Sequence, residues 1–319
     1  MLLVRLLLLT VCFGSIAVGQ APAPAAAPAP LNQEYLLGRK AENAGDIAAA
    51  TASYQAVVSG NSLLKEYALW RLARIARSTG DLVLERERLQ QLLSAAPNSL
   101  LYDSAALRLG DSFFESGDFA AAATSAKALS QSKNVPVARE AAALMGTAYV
   151  RANKLAEARD TFTKLLLQMP DASRPDDFAL TAVRQLDALD KSTGSANPPQ
   201  SLSEADHLLR ASVYQFNRDF AGARVHYQAV VDRFPQSTTV PNAMYQIARG
   251  LYNEAKYDDA LAQLEKALRK IHDTALPAAP STTERDTLGL LASTYIRLKR
   301  VDAAVTYSKE RGFPKKVRL

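Results

Sequence analysis

The fold is decided by the stretch NKLAEARDTFTKLLLQMPD at residues 153–171, whose pattern recurs in RDFAGARVHYQAVVDRFPQ at residues 218–236. Few residues are identical, but a small residue, an aromatic residue and a proline take equivalent places: Ala158, Phe162 and Pro170 in the first stretch, and Ala223, Tyr227 and Pro235 in the second. Residues four apart share one face of a helix, and proline ends a helix. The pattern therefore predicts a repeated helix with one closely packed face.

Residues that favour helix ends recur at nearly constant intervals along the chain. Gly45, Gly80 and Gly117 lie 35 and 37 residues apart, and Asn153 follows 36 residues later. Glycine and asparagine readily adopt the left-handed backbone conformation that commonly ends a helix. Each of these residues stands between two stretches with helical apolar periodicity, so each unit is expected to be a pair of helices joined by a tight turn.

This repeat resembles the tetratricopeptide (TPR) family, in which a unit of two helices recurs about every 34 residues. The resemblance extends over Gln33–Lys309, with six units in register and a weaker seventh at Leu291, Tyr295 and Ala304. It implies an all-α fold, a TPR-type α-solenoid (superhelix) of about six to seven helix pairs. Small residues on the first helix of a unit are expected to let its two helices approach closely; they include Gly38, Gly110 and Gly146.

The repeat is interrupted between Ala158 and Ala223, which lie 65 residues apart, close to two periods, and a shorter loop, LPAAPSTTE at residues 276–284, interrupts it again before the last unit. Between the two alanines, RPDDFALTAVRQLDALD is read as a spacer helix, with Ser173 as its expected cap and Pro175 at its start. The sequence thus predicts a signal peptide at 1–19, an Ala/Pro linker at 20–31, a first TPR array plus spacer helix at 32–190, a linker at 191–202, a second TPR array at 203–312 and a basic tail at 313–319.

The N-terminal sequence MLLVRLLLLTVCFGSIAVGQ has the features of a secretory signal peptide. Arg5 precedes the apolar run Leu6–Ala17, which is short for a membrane span, and residues 17–19 fit a small-x-small cleavage site. Retention as a membrane anchor and lipidation at Cys12 are the alternatives, although Val11 is bulky for the residue before a lipidated cysteine. We therefore expect a periplasmic protein without a transmembrane segment or a cysteine after cleavage.

The charge balance is mildly basic, with 38 Lys and Arg against 32 Asp and Glu and a net charge of +6. Removal of the peptide that carries Arg5 lowers this charge by one. A moderate positive charge suits an anionic partner such as peptidoglycan or an acidic peptide. In an exported protein it does not indicate nucleic-acid binding, so the expected partner is a protein or peptide of the cell envelope, or peptidoglycan.

No pattern of residues in the sequence indicates catalysis. The sequence lacks G-x-G-x-x-G, the P-loop, G-x-S-x-G and H-E-x-x-H motifs, and we expect no catalytic residue, no metal site and no cofactor. His207, His226 and His272 are far apart in sequence, and His226 is expected to be a surface histidine.

A binding surface is the remaining candidate for a functional site. In the TPR family the concave face is lined by residues of the first helix of each unit, and the resemblance places eleven aromatic and basic residues there: Tyr67, Trp70, Arg71, Arg74, Arg77, Arg108, Phe114, Phe216, Tyr245, Arg249 and Tyr252. Guanidinium groups beside aromatic rings suit a carboxylate-bearing peptide or a sugar ring. The alternative is that the aromatic rings pack between units and the arginines are only solvated. The family's Lys and Asn clamp for chaperone tails is not matched, so chaperone docking is not implied.

Two functions from different classes fit these observations. The first is an exported non-catalytic TPR scaffold that binds a protein or peptidoglycan partner in the cell envelope. The second is the N-terminal helical region of an enzyme, because the alanine-rich array resembles that region of soluble lytic transglycosylases. Those enzymes carry a catalytic Glu on a lysozyme-like domain, and the one Glu-Ser pair here, Glu115-Ser116, lies in a predicted turn. That reading requires a catalytic domain outside this chain.

Overall fold

The structure, a computed structural model, describes residues 30–60, 62–192, 202–273 and 281–310. The predicted signal peptide, residues 20–29 of the Ala/Pro linker, residues 193–201 of the second linker and the basic tail lie outside the described residues. Regular secondary structure within the described ranges is α-helical. It consists of α1 (Leu31–Asn43), α2 (Ile47–Ser59), α3 (Lys65–Ser78), α4 (Leu82–Ala95), α5 (Tyr102–Glu115), α6 (Phe119–Leu129), α7 (Val135–Arg151), α8 (Leu155–Leu167), α9 (Asp177–Lys191), α10 (Glu204–Phe216), α11 (Phe220–Arg233), α12 (Val240–Asn253), α13 (Tyr257–Asp273), α14 (Thr282–Arg297) and α15 (Val301–Glu310).

The same turn joins the two helices of a pair at seven places in the described part of the chain. The next residue after the turn centre donates its backbone N–H to the carbonyl five residues earlier, at 2.9 or 3.0 Å, as in a Schellman motif. The turn centre has a positive φ in each case: Gly45 (78°), Gly80 (80°), Gly117 (81°), Asn153 (57°), Arg218 (60°), Ala255 (60°) and Lys299 (58°). The four predicted turns are confirmed, and the last three have centres that the sequence did not indicate.

Aspartate caps the second helix at four of these turns. The side chains of Asp46, Asp81, Asp118 and Asp219 each accept the backbone N–H three residues further on, at 2.9 to 3.0 Å. A residue with positive φ followed by an N-cap aspartate therefore ends one helix and begins the next within three residues. This local chemistry fixes the helix pairs before any long-range packing is considered.

The chain divides into two compact units between Ala68 and Leu69, inside α3. In the first unit, α1 and α2 pair around Tyr54, whose side chain is fully buried. A Cβ atom at Gly38 would lie 2.7 Å from the ring of Tyr54, so only glycine allows this approach. The Tyr54 hydroxyl donates to Glu42 at 2.7 Å, which satisfies its polar end.

The second unit repeats this arrangement with different partners. A Cβ atom at Gly146 of α7 would lie 2.8 Å from the ring of Phe162 of α8, and Phe162 is fully buried. In the next helix pair the glycine is on the second helix, because a Cβ atom at Gly222 of α11 would lie 2.7 Å from the ring of Tyr214 of α10. The expected close contacts of small residues are thus confirmed, and the fold class predicted from the sequence is confirmed with them.

The spacer helix α9 belongs to the core of the second unit. One continuous hydrophobic cluster runs from α7 to α13 and includes Val183 and Leu186 of α9 together with Ala211 and Val213 of α10. The cluster therefore contains helices from both sides of residues 193–201. The predicted cap of α9 is wrong: Asp176 is the N-cap and accepts the backbone N–H of Ala179, while Ser173 bonds to Asp171.

Candidate peptide-binding groove

A groove of about 450 Å³ opens between α10, α12 and the segment that precedes α9. From α12 it is lined by Gln246, Arg249 and Asn253, whose spacing puts them on one helix face. α10 contributes Ser212, Gln215 and Phe216, and the segment before α9 contributes Ala172, Ser173 and Pro175. Half of the lining residues thus come from the first helices of two successive helix pairs, and α11 adds Phe220 and Tyr227.

The groove is positively charged. Arg218 and Arg249 line it, and none of its lining residues is acidic. Both arginines are exposed, and neither has an acidic partner among the residues that the structure describes. Arg218 stands at the turn centre between α10 and α11, which brings its guanidinium to the end of the groove, over the ring of Phe220 at 5.9 Å. Such a lining favours a ligand that carries negative charge.

Two buried amide oxygens in the groove lining have no hydrogen-bond donor among the described residues. They are Oε1 of Gln215 on α10 and Oε1 of Gln246 on α12. A buried acceptor left without a donor destabilises a protein by about 1–3 kcal/mol. Both oxygens are closed off from solvent, so a ligand that enters the groove has no direct access to them.

An exposed aromatic ring completes the groove. Phe216, the last residue of α10, is 49% exposed although it is fully apolar. Phe220 and Tyr227 of α11 also line the groove. The groove therefore combines aromatic rings with two exposed guanidinium groups.

Comparison with protein families agrees with the repeated helix pairs of the fold. Models described as "Tetratricopeptide repeat" match residues 35–99, 107–177 and 207–237, which together are just over half of the chain. The matched residues contain five of the seven turns described above. The chain is a tetratricopeptide repeat protein.

Relatives of this tetratricopeptide repeat protein are distant. An uncharacterized protein of Treponema pallidum (strain Nichols) is 31% identical over 98 residues, and the aligned part is 30% of this chain and 39% of that protein. A tetratricopeptide repeat protein from Parabacteroides merdae ATCC 43184 has a crystal structure with a TM-score of 0.40 and 15% identity, covering 90% of this chain and 95% of that one. The TPR2AB domain of yeast Sti1, solved as a complex with pHSP90, has a TM-score of 0.30 and 13% identity, covering 84% and 98%.

Of the eleven residues predicted for the concave face, only Phe216 and Arg249 meet in the groove. The first helices also carry Tyr245 and Tyr252, but Tyr245 packs partly buried against the core around Leu264. Tyr252 lies edge-on to Tyr257 at 5.3 Å, and its hydroxyl accepts from Arg297 at 3.3 Å. These two tyrosines are occupied by packing within the protein.

The predicted arginines of the second and third TPR units belong largely to an ion-pair network. Arg108 donates to the buried carboxylate of Glu85 at 2.7 Å and to Glu115 at 2.8 Å, and Arg77 donates to Glu115 at 3.2 Å. The buried carboxylate of Glu85 is thus paired with a guanidinium group, as a buried charge requires. Arg74 is exposed and Arg71 is partly buried on the same helix face as Arg77. Of the four predicted arginines of these two units, Arg77 and Arg108 are paired with acidic side chains.

The other predicted aromatic residues are partly buried. Phe114 lies edge-on to Phe119 at 5.2 Å, with the guanidinium of Arg151 5.9 Å from its ring. Tyr67 and Trp70 lie on α3, on either side of the boundary between the two units, and each is partly buried. None of these side chains lines the groove of Phe216 and Arg249.

The prediction for His226 is wrong. His226 is 4% exposed and His207 3% exposed, and their Nδ1 atoms are 3.0 Å apart although the residues are 19 positions apart in sequence. The pairing of α10 with α11 brings them together. No group of three His, Cys, Asp or Glu side chains in the described ranges could hold a metal ion.

None of the helices that the structure describes combines the length and the apolar character needed to cross a bilayer.

Proposed function

We propose that this protein is an exported, non-catalytic TPR scaffold that holds an extended acidic segment of a cell-envelope protein in the groove between α10 and α12. TPR proteins bind protein or peptide partners, and this groove has the chemistry for one. The observation that carries the proposal is the acid-free lining, in which Arg218, Arg249 and Phe216 are exposed.

Two contacts define the partner. A carboxylate of the segment would pair with Arg249 or Arg218, because guanidinium binds carboxylate with two parallel hydrogen bonds. An apolar side chain of the segment would cover Phe216 and remove its exposed ring from water. The partner segment is therefore acidic, extended and interrupted by at least one apolar residue.

The export part of the proposal rests on the N-terminal sequence. Arg5, the apolar run Leu6–Ala17 and the small residues at 17–19 support cleavage after Gly19 and a periplasmic location. Mass spectrometry of the protein purified from the cell envelope tests this directly. A mature N-terminus at Gln20 is expected, and an uncleaved or lipidated N-terminus would contradict it.

The groove is tested with three fluorescent peptides that share their apolar residues and differ in having Asp and Glu, Ser, or Lys and Arg between them. Fluorescence anisotropy should show binding of the acidic peptide only. Arg249→Gln should weaken that binding by about tenfold or more, as expected for a charge-assisted hydrogen bond.

Arg269→Gln is the matched control, because Arg269 is 45% exposed on α13 and does not line the groove. It changes the net charge by the same amount as Arg249→Gln. Equal loss of binding in the two variants would show that only overall charge matters, and equal binding of all three peptides would also contradict the proposal. Sedimentation with purified peptidoglycan, without peptide binding, would assign the glycan as the partner instead.

The enzyme alternative, the helical region of a soluble lytic transglycosylase, rests on the resemblance of the array alone. It requires a lysozyme-like domain that is not in this chain. The reading frame beyond the codon for Leu319 tests it, and a lysozyme-like domain encoded there would favour it over the scaffold.

A further inference from the structure

A chain of hydrogen bonds crosses the interior between α9, α10 and α11. Arg233 Nη1 is 2.9 Å from His207 Nε2, the two histidine Nδ1 atoms are 3.0 Å apart, and His226 Nε2 is 3.0 Å from an oxygen of Asp187. Tyr214 donates to the same oxygen of Asp187 at 2.7 Å. Both histidine side chains are more than nine-tenths buried.

The positions of the protons in this chain follow from its two ends. A guanidinium only donates, so Nε2 of His207 accepts from Arg233 and carries no proton. The proton of the neutral His207 ring is then on Nδ1, and it is donated to Nδ1 of His226. The proton of His226 is therefore on Nε2 and is donated to the Asp187 carboxylate. Each histidine is neutral, with a different tautomer, and each nitrogen has one defined role.

We propose that this chain is a proton-sensitive latch that fastens the first turn of α10 to α11. With a proton on Nε2, His207 could no longer accept from Arg233, and two N–H donors would face each other. A proton added to Nδ1 of His226 would set two donors against each other between the rings. Either event breaks a hydrogen bond of His207, which is the fourth residue of α10. The first turn of that helix is then held less firmly.

The charges around His207 oppose its protonation more than they support it. The groups that face it come from its own helix, from α9 and from α11: Asp206 and Arg210; Asp187, Asp190 and Lys191; and His226 and Arg233. The carboxylates of α9 are already paired, since Arg210 donates to both Asp187 and Asp190 at 2.6 Å and Arg159 of α8 pairs with Asp190. A cationic His207 would have Arg233 in direct contact and no free carboxylate beside it.

Burial, together with the positive charges of Arg233, Arg210 and, whenever its ring is protonated, His226, lowers the pKa of His207 from 6.5 to about 4. The unfolded chain then binds more protons than the folded protein between about pH 4 and pH 6.5, so acidification across this window destabilises the fold. Burial acts to raise the pKa of Asp187, but hydrogen bonds from His226, Tyr214 and Arg210 hold it below the usual 3.8. The titrations of His207 and Asp187 therefore occur in different ranges of pH.

The latch also bears on the groove, a consequence that rests on the function proposed above. α10 carries His207 and Tyr214 in the latch, and Ser212, Gln215 and Phe216 in the groove. Loosening the first turn of α10 moves one wall of the groove relative to α12. Acidification should therefore weaken ligand binding in the same window in which the latch opens.

The direct test is ¹⁵N NMR of the histidine rings in the intact protein, where only three histidines contribute. His272→Gln and His226→Gln identify the signals. At neutral pH the shifts should show His207 protonated on Nδ1 and His226 protonated on Nε2. A proton on Nε2 of His207, or a doubly protonated His226 at neutral pH, would overturn the latch.

Hydrogen exchange of the parent protein then tests the opening. Between about pH 6.5 and pH 4.5, after correction for intrinsic rates, amides of α10 should lose protection relative to amides of α13 as His207 titrates. Titration of His207 without any change in α10 would overturn the proposal. These two measurements require no ligand, so they remain decisive if the groove binds no peptide.

His207→Gln supplies the variant test, because glutamine can accept from Arg233 and donate to His226 without titrating near neutral pH. Between about pH 7 and pH 5 the melting temperature of both proteins should fall, and the decrease should be several degrees smaller for His207→Gln than for the parent. His272→Gln is the control, since that residue is 45% exposed beside Glu284, and it should follow the parent. A parallel decline of the parent and His207→Gln would overturn the proposal.

Discussion

At the scale of single residues, the absence of a side chain decides how closely two helices pack. Gly146 has the ring of Phe162 against it, whereas Gly289 in the middle of α14 has no described heavy atom within 4 Å of the position of a Cβ. The same residue type is thus a packing requirement at one site and a weakness of the helix at the other. Glycine destabilises a helix interior by about 0.5–1 kcal/mol relative to alanine.

Identical substitutions at these two glycines should have opposite effects. Gly146→Ala should lower the free energy of unfolding by about 1–3 kcal/mol, because its new methyl group overlaps the Phe162 ring. Gly289→Ala should raise the free energy of unfolding by about 0.5–1 kcal/mol through helix propensity. Urea denaturation followed by circular dichroism measures both, and the same sign of change in the two variants would contradict this account.

Alanine offers the same kind of comparison at a turn. Ala255 has a φ of 60°, a conformation that a residue with a Cβ adopts at a cost of about 1–2 kcal/mol. Ala255→Gly should therefore stabilise the protein by up to about 1 kcal/mol, whereas Ala262→Gly on the exposed face of α13 should destabilise it by about 1 kcal/mol. Thermal melts of the two variants are the measurement, and a destabilised Ala255→Gly would show that the turn does not hold this strain.

At the scale of helices, one buried arginine joins three of them. Arg139 of α7 is 5% exposed and donates to the carbonyls of Leu165 and Gln168 at the end of α8, at 3.0 and 3.1 Å. It also forms a two-point ion pair with Asp176, the N-cap of α9, at 2.5 and 2.7 Å. Burial acts to raise the pKa of Asp176, but the hydrogen bonds from Arg139 and Ala179 outweigh it and lower that pKa.

Removing this arginine should release the spacer helix. Arg139→Met leaves the Asp176 carboxylate without its cationic partner, although the backbone N–H of Ala179 still donates to it, and takes the Arg139 donor from two carbonyls. The free energy of unfolding should therefore fall by about 3–5 kcal/mol. Arg184→Met is the control, because the Arg184 side chain is 56% exposed and pairs with Asp219 near the surface, a contact worth at most about 1 kcal/mol. Comparable losses in the two variants, measured in urea, would rule out the special role of Arg139.

The helix pairs could be predicted from the sequence because their signals are local. Gly45, Gly80, Gly117 and Asn153 mark turns by their own backbone preference, without reference to distant residues. Arg218, Ala255 and Lys299 lack that preference, and their turns are held by the flanking helices instead. The sequence therefore predicted helix pairs well and their later turn centres poorly.

The groove was predicted only in part because it depends on the turn positions. Gln215 stands three residues before Arg218, and Gln246 stands nine before Ala255, the same offsets that Arg77 and Arg71 have from Gly80. A glutamine in a helix does not by itself indicate a groove position. Its place can be assigned only when the turn centres are known. The contact of His207 with His226 was equally hidden, since only the pairing of α10 with α11 creates it.

At the scale of the whole molecule, the second unit has a core that does not depend on chain continuity through residues 193–201. Val183 and Leu186 lie in the same hydrophobic cluster as Val213 and Tyr227. The ion pairs of Asp187 and Asp190 with Arg210 add polar contacts across the same boundary.

Cutting the chain there should leave its two parts associated. A protease site inserted between Ser192 and Ser201, once cleaved, should yield two fragments that co-elute in size-exclusion chromatography under native conditions. The buried cluster between α9 and α10 supplies the attraction. Elution of two separate species would instead support two independent arrays joined by a linker. The uncleaved protein with the same insertion is the control.

The fit of Tyr214 against Gly222 has a consequence for assembly. Repeats of similar sequence risk pairing a helix with the wrong neighbour during synthesis. Gly222 stands four residues after its turn centre, and Glu157 of α8 stands four residues after Asn153. A mispaired α10 on α8 would press the Tyr214 ring into a carboxylate side chain. Gly222 thus favours the pairing of α10 with α11 over a pairing of α10 with α8, and so helps the repeats to pair in their native order during synthesis.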